Sequence, residues 1–237
     1  MATTTSDAAI TENFWERMAL GLALLILFGF AQFALRGFVD PFGVPLSTHF
    51  HGLAMLAWLA LLVVQPRLVR QGDLAMHRRL GRLGVALSVL VVGLGFYVGI
   101  SVIAAGRLPP FFTPHYFLVL VSVELLAFGG LVWAAVAHRR RTDWHRRFMI
   151  GSAIMLLEPA LGRLLPMPLM IGWWDLPIAI IQLAAVGLIA LHDRRTFGHV
   201  HSATKIVALL VILVRLTIYM LPMLPPVQAL AAGLSGG

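Results

Sequence analysis

The chain has no cysteine and little charge of either sign: 12% of its 237 residues are Asp, Glu, Lys or Arg, and only 10 are acidic. Without cysteine there can be no disulfide, thiolate metal site, iron–sulfur cluster or cysteine nucleophile. Any metal or cofactor is therefore left to His, Met, Asp or Glu. The sequence also lacks a phosphate-cradling glycine loop, a His-Glu-x-x-His string and a serine-centred nucleophile elbow, so soluble-enzyme classes find poor support. No polar stretch is long enough for a second, soluble domain, which leaves a single domain over 1–237.

What fills the chain instead is apolar. Hydrophobic residues make up 59% and the mean hydropathy is +0.89, whereas soluble domains are roughly half apolar and a quarter charged. Seven runs have the roughly 20 apolar residues that a helix needs to cross a hydrocarbon core. They are Met18–Gly37, His49–Arg70, Leu80–Gly106, His115–Ala137, Phe148–Pro166, Trp174–Leu191 and Thr204–Pro222. Backbone polar groups in lipid must be satisfied within their own segment, so each run is expected to be helix. The fold class expected is all-α, a polytopic bundle of seven transmembrane helices. The segment before the first run carries Asp7, Glu12 and Glu16 against Arg17. It lacks the basic start of a secretory signal, and the first run is read as a retained helix.

Arginine placement sets the expected orientation. With the N-terminus in the cytoplasm, that side collects Arg17; Arg67, Arg70, Arg78, Arg79 and Arg82; Arg139, Arg140, Arg141, Arg146 and Arg147; and Arg194, Arg195 and Lys205. The outer side keeps Arg36, Arg107 and Arg163, while Arg215 falls inside the last run. The C-terminus is then outside, and the expected address is a bacterial cytoplasmic (inner) membrane. The net charge of +8 describes loops that face anionic lipid headgroups, with no need of nucleic acid. Phe14 and Trp15, and Trp173 and Trp174, sit where an interfacial aromatic belt is expected. Gly93, Gly95, Gly129 and Gly130 suit close helix packing, and Gln32, Gln65 and Gln182 suit hydrogen bonds between helices.

Histidines carry the first candidate chemistry. His49 and His51, in Thr48-His49-Phe50-His51-Gly52-Leu53-Ala54-Met55, open the second run on the outer side, and His115 opens the fourth from the same side. Imidazole ligates haem iron, zinc and copper, and a small neighbour such as Gly52 admits a flat macrocycle. His51 and His115 are the expected outer axial pair for haem b. On the cytoplasmic side His77-Arg78-Arg79 leads into the third run and His145-Arg146-Arg147 into the fifth, giving a second, inner pair, His77 and His145. A further alternative is a divalent metal held by His49, His51 and His115, since three ligands with an open position suit catalytic zinc. A His-x-His pair on a regular helix diverges by about 200°, so that site needs an irregular helix start.

Outer histidines on runs two and four and inner ones on runs three and five form a pattern that resembles the two-haem b-type transmembrane cytochromes of the ascorbate-reducing kind. That resemblance spans roughly Thr48–Phe148 and implies a four-helix core with one haem near each face. His51-Gly52-Leu53-Ala54-Met55 is also similar to the His-Gly-x-x-Met string of subunit I in haem-copper oxidases and nitric-oxide reductases, but the copper-ligating histidine set has no equivalent here. Over most of its length the chain resembles a group of uncharacterised bacterial multi-pass membrane proteins. The shared features are the His-x-His-Gly start of helix two, Gln65-Pro66, the Leu-x-x-His-Arg-Arg-Leu-Gly run from Leu74 to Gly81, and the turn from Gly198 to Thr204. The resemblance implies fold and membrane address.

The second candidate chemistry lies within the bilayer. At about 1.5 Å per residue, Glu124 falls about 14 Å from the outer face, and Glu158 and Arg215 about 15 and 18 Å from the inner one. A lone charge at such depth costs about 2.5–3.5 kcal/mol on insertion scales, so the three are expected to face one another. Two carboxyls and one guanidinium leave a carboxyl over, as a proton relay has. Pro159, directly after Glu158, is also a kink point, because proline removes a backbone donor. Asp175 and Arg163 flank one outer connector and are expected to pair there. Two functional readings follow: haem-based electron transfer or haem handling, and a cofactor-free small transporter or proton-coupled sensor built on Glu124, Glu158 and Arg215.

Overall fold

The structure is a computed structural model that describes residues 5–40 and 42–236, with side chains from residue 13 onward. Asp7 and Glu12 lie outside the described side chains. Among the described residues there are nine α-helices and no strand. They are α1 Thr5–Leu35, α2 Leu46–Arg70, α3 Leu74–Ala104, α4 Pro114–Ala137, α5 Thr142–Met155, α6 Leu157–Leu164, α7 Asp175–Phe197, α8 Ser202–Met220 and α9 Pro225–Leu234, with short 3-10 turns at Met167–Met170 and Leu221–Met223.

Local chemistry sets the helix ends, and several lie further out than hydropathy suggests. Asp73 caps α3 by accepting from the Met76 N–H at 2.9 Å, which starts the helix at Leu74 rather than Leu80. Thr113 caps α4 ahead of Pro114, a residue whose missing donor is harmless in a first turn. His201 caps α8, its Nδ1 accepting from the Ala203 N–H at 3.1 Å. Gly198, at φ +78°, ends α7 in a left-handed turn that a side chain would strain. His77 and His145 consequently lie inside the first turns of α3 and α5 rather than in loops.

Six helices, α1 to α4, α7 and α8, are long and apolar enough to cross a bilayer, as an integral membrane protein requires. The fifth expected run is divided. Pro159 offers no N–H to the Met155 carbonyl one turn earlier, and the chain turns at Leu156 between α5 and α6. This broken segment lies at the centre of the bundle: Phe148, Ile150, Ala153, Ile154, Met155, Leu157, Ala160 and Leu161 are all buried. Gln182 on α7 donates to the Ile154 carbonyl at 3.1 Å, satisfying a backbone acceptor beside the break. Leu24, Phe28, Leu53, Leu56, Val89, Leu90, Leu188 and Leu209 face outward, a surface that suits lipid rather than water.

Close approach explains two of the glycines. A Cβ on Gly29 would come within 2.8 Å of the Ala160 carbonyl oxygen, where α1 lies against α6. One on Gly95 would meet the Leu125 side chain at 2.8 Å, where α3 lies against α4. Of the other glycines expected at helix contacts, Gly129 faces Val92, while Gly93 and Gly130 face open space. The aromatic belt is corrected in part. Trp15 and Trp174 are buried at the two ends of the bundle, Phe14 stacks on His192 at 3.9 Å, and Trp173 is exposed.

Candidate functional site

Alternating helices bring the arginine-bearing ends together. Arg70 pairs with Glu16 at 2.6 Å, tying α2 to α1, and Arg146 lies over the Trp15 ring. At this end His77 from α3 and His145 from α5 approach with ring centroids 6.4 Å apart and planes at 83°. The His145 Nδ1 lies 2.8 Å from the Ala135 carbonyl oxygen, an acceptor only, so Nδ1 carries the proton and Nε2 keeps its lone pair. The His77 Nδ1 is buried and has no hydrogen-bond partner.

At the other end, His51 lies in the second turn of α2 against α3, its Cε1 3.3 Å from where a Cβ on Gly95 would stand. Its Nδ1 is also buried without a hydrogen-bond partner. His115 is the second residue of α4, with Nε2 3.0 Å from the Thr113 hydroxyl, and His49 is exposed. Among the described residues no three His, Asp or Glu side chains are grouped closely enough to hold a metal ion, so His49, His51 and His115 do not assemble as a three-ligand site.

The intramembrane charges meet, with different pairings from those expected. Arg215 contacts Glu124 and reaches Asp175 at 3.3 Å. Asp175 accepts from the Tyr116 hydroxyl at 2.9 and 3.0 Å, and the Trp174 indole N–H donates to that hydroxyl at 2.7 Å. Arg163 does not pair with Asp175. It donates to the Pro159 carbonyl at 2.6 Å and lies over Phe30, while Gln32 from α1 donates to the Arg163 carbonyl at 2.8 Å. Glu158 is buried beside this group and senses the charges of Arg163 and Asp175. Asp175 and Tyr116 were not foreseen as parts of the cluster. A carboxylate opening the sixth apolar run, at the end where the fourth run begins with His115 and Tyr116, is the signal that could have found them.

A second buried charge group was missed altogether. Arg147 and Asp193, both 0% exposed, form an ion pair between α5 and α7. The Arg147 Nε donates to Asp193 Oδ1 at 3.1 Å and its Nη1 to the Asp143 carbonyl at 2.6 Å. The Thr204 hydroxyl and the His201 N–H both donate to Asp193 Oδ2, at 2.5 and 3.1 Å. The turn from Gly198 to Thr204 thus serves to close over Asp193. Since His201 Nδ1 accepts from Ala203, its Nε2 carries the proton donated to Asp143 at 2.9 Å. Asp143, 41% exposed at the tip of α5, is held below the usual carboxylate range. Partial burial pushes it up, and hydrogen bonds from His201 and backbone N–H groups outweigh that.

Compared with known protein families, curated proteins and solved structures, the chain matches none.

Proposed function

We propose that this chain is a seven-crossing membrane protein of electron transfer or haem handling that binds haem b, with the N-terminus in the cytoplasm and the C-terminus outside. The observation that supports the cofactor most is the disposition of His77 and His145. Their ring centroids stand 6.4 Å apart, and these two imidazoles would hold a haem iron that supplies one-electron chemistry. The proton on His145 Nδ1 is held by the Ala135 carbonyl, the second-shell bond that orients an imidazole ligand and raises its basicity. The outer pair of the proposal is His51 and His115, supported by the buried, unpartnered Nδ1 of His51.

Bound there, the iron would carry one electron at a time between its ferric and ferrous forms. The protein's part is to hold the four imidazoles at two depths. In this reading the broken α5 and α6 segment is the seventh crossing, the membrane is a bacterial inner membrane, and the positive-inside rule favours a cytoplasmic arginine-bearing end.

An absorption spectrum of protein purified from haem-replete cells tests the reading. A Soret band with a reducible alpha band is expected, His77→Ala and His145→Ala each remove one haem, and His51→Ala removes the other. Colourless protein, or an unchanged haem content in all three variants, overturns it. Reporter tags on the two termini test the topology, since they are expected on opposite sides.

A further inference from the structure

The end of the bundle opposite the arginines buries a set of ionisable groups that the redox proposal does not use. Glu124 and Tyr116 come from α4, Glu158 and Arg163 from α6, Asp175 from α7 and Arg215 from α8. Arg36, directly after α1, is exposed and reaches this group only through Gln32, to which it donates at 3.2 Å. The turn Leu221–Met223 and α9, which also lie against α4, bring no titratable side chain.

Donors and charges do not balance here. Arg215 serves Glu124 and Asp175, the Tyr116 hydroxyl serves Asp175, and Arg163 gives an N–H to a backbone carbonyl. Glu158 is 7% exposed and, among the described residues, receives no hydrogen bond. Three carboxylates against two guanidinium groups leave one negative charge in surroundings of low dielectric, which is costly in lipid. One proton brings the group to neutrality. A metal ion would do so less well, because two guanidinium groups repel it and no three acidic side chains stand close enough to coordinate it.

We propose that this cluster is a proton-binding site: Glu158, Glu124 and Asp175 share one exchangeable proton, which enters from the side of the connector 165–174. Asp175 is the entrance. Its side chain is 18% exposed, more open than Arg215 at 7% or Glu124 at 10%, and it adjoins the exposed Trp173. Glu158 lies at the inner end, in the first turn of α6, where the break between α5 and α6 sets its position.

Infrared titration of the full chain in lipid nanodiscs tests this. Expected is the carbonyl band of a protonated carboxylic acid at neutral pH, shifted in heavy water and lost at high pH. Glu158→Gln is expected to remove that band, to lower proton release by about one proton per chain and to keep the wild-type melting temperature, since an amide matches the protonated acid in shape and charge. Asp143→Asn, at the opposite end, leaves the band unchanged. Absence of the band from folded wild-type protein overturns the proposal, as does a band unchanged in both Glu158→Gln and Glu124→Gln. If Glu158→Gln does not fold, the wild-type band and Glu124→Gln decide. The band is read in colourless and haem-loaded protein alike, so this proposal and the redox proposal fail separately.

Discussion

The two ends of the bundle bury the same kinds of side chain and satisfy them differently. At the arginine-rich end, Asp193 takes hydrogen bonds from Arg147, Thr204 and the His201 N–H, so that a fully buried carboxylate has donors on both oxygens. At the other end, Glu124 and Asp175 share the donors of Arg215 and Tyr116, and among the described residues no hydrogen bond reaches Glu158. A buried charge with matched partners fixes three helices in one arrangement. A buried carboxyl in excess of its partners can change its charge at small structural cost. Composition does not separate these cases; the count of donors does.

Removing one partner of the matched pair should have the largest effect. Arg147→Ala or Asp193→Ala strands a buried charge and is expected to cost about 3–5 kcal/mol, read by unfolding in detergent micelles. The apolar double variant Arg147→Met with Asp193→Leu recovers most of that loss. At the opposite end, Arg215→Gln should cost less, about 1–3 kcal/mol, because Glu124 or Asp175 takes up a proton in place of the lost guanidinium. Equal losses at the two ends would erase the contrast. Gly29→Ala is expected to cost about 1–3 kcal/mol, since its new methyl meets the Ala160 backbone oxygen at 2.8 Å. Gly95→Ala costs less, because there the Leu125 side-chain end can turn aside. Both follow from the same unfolding measurement.

The smallest effects lie at the tip of α5. His201→Ala removes the cap of α8 and should cost about 1 kcal/mol. Asp143 is held below its ordinary value, so the stability it contributes is present above about pH 4 and is lost as pH falls through its lower folded value. Asp143→Asn should therefore flatten the acid limb of a melting-temperature profile, and only slightly, because the group is partly solvated.

Hydropathy was enough to read six of the helices, proline chemistry the break beside Pro159, and the cost of charge in an apolar run the meeting of Glu124 with Arg215. Gln32 and Gln182 bond between helices as their place in apolar runs suggested, whereas the Gln65 Oε1 is buried without a partner. Two features stayed hidden for physical reasons. Arg147 and Asp193 stand among runs of arginine at helix ends, where charge normally means solvent, so nothing in their neighbours marks them as buried. Asp175 looked like a connector residue because hydropathy registers the edge of a span and not the direction of its first side chain. Its partner is consequently Arg215, one helix further along the chain, rather than Arg163. Helix starts moved outward wherever a capping residue, Asp73 or Thr113, extended the helix past the apolar run.

The break between α5 and α6 bears on how the protein is made. Neither half, of 14 and 8 residues, is long enough to be held by lipid alone, and together they carry Asp143, Arg146, Arg147, Glu158 and Arg163. Such a segment gains little by leaving the insertion machinery on its own. It becomes stable only when α1 and α4 are already in place to receive it and α7 and α8 arrive to close over it. Biogenesis is thereby tied to an order of events, and truncation after α6 should leave a product that quality-control proteases recognise.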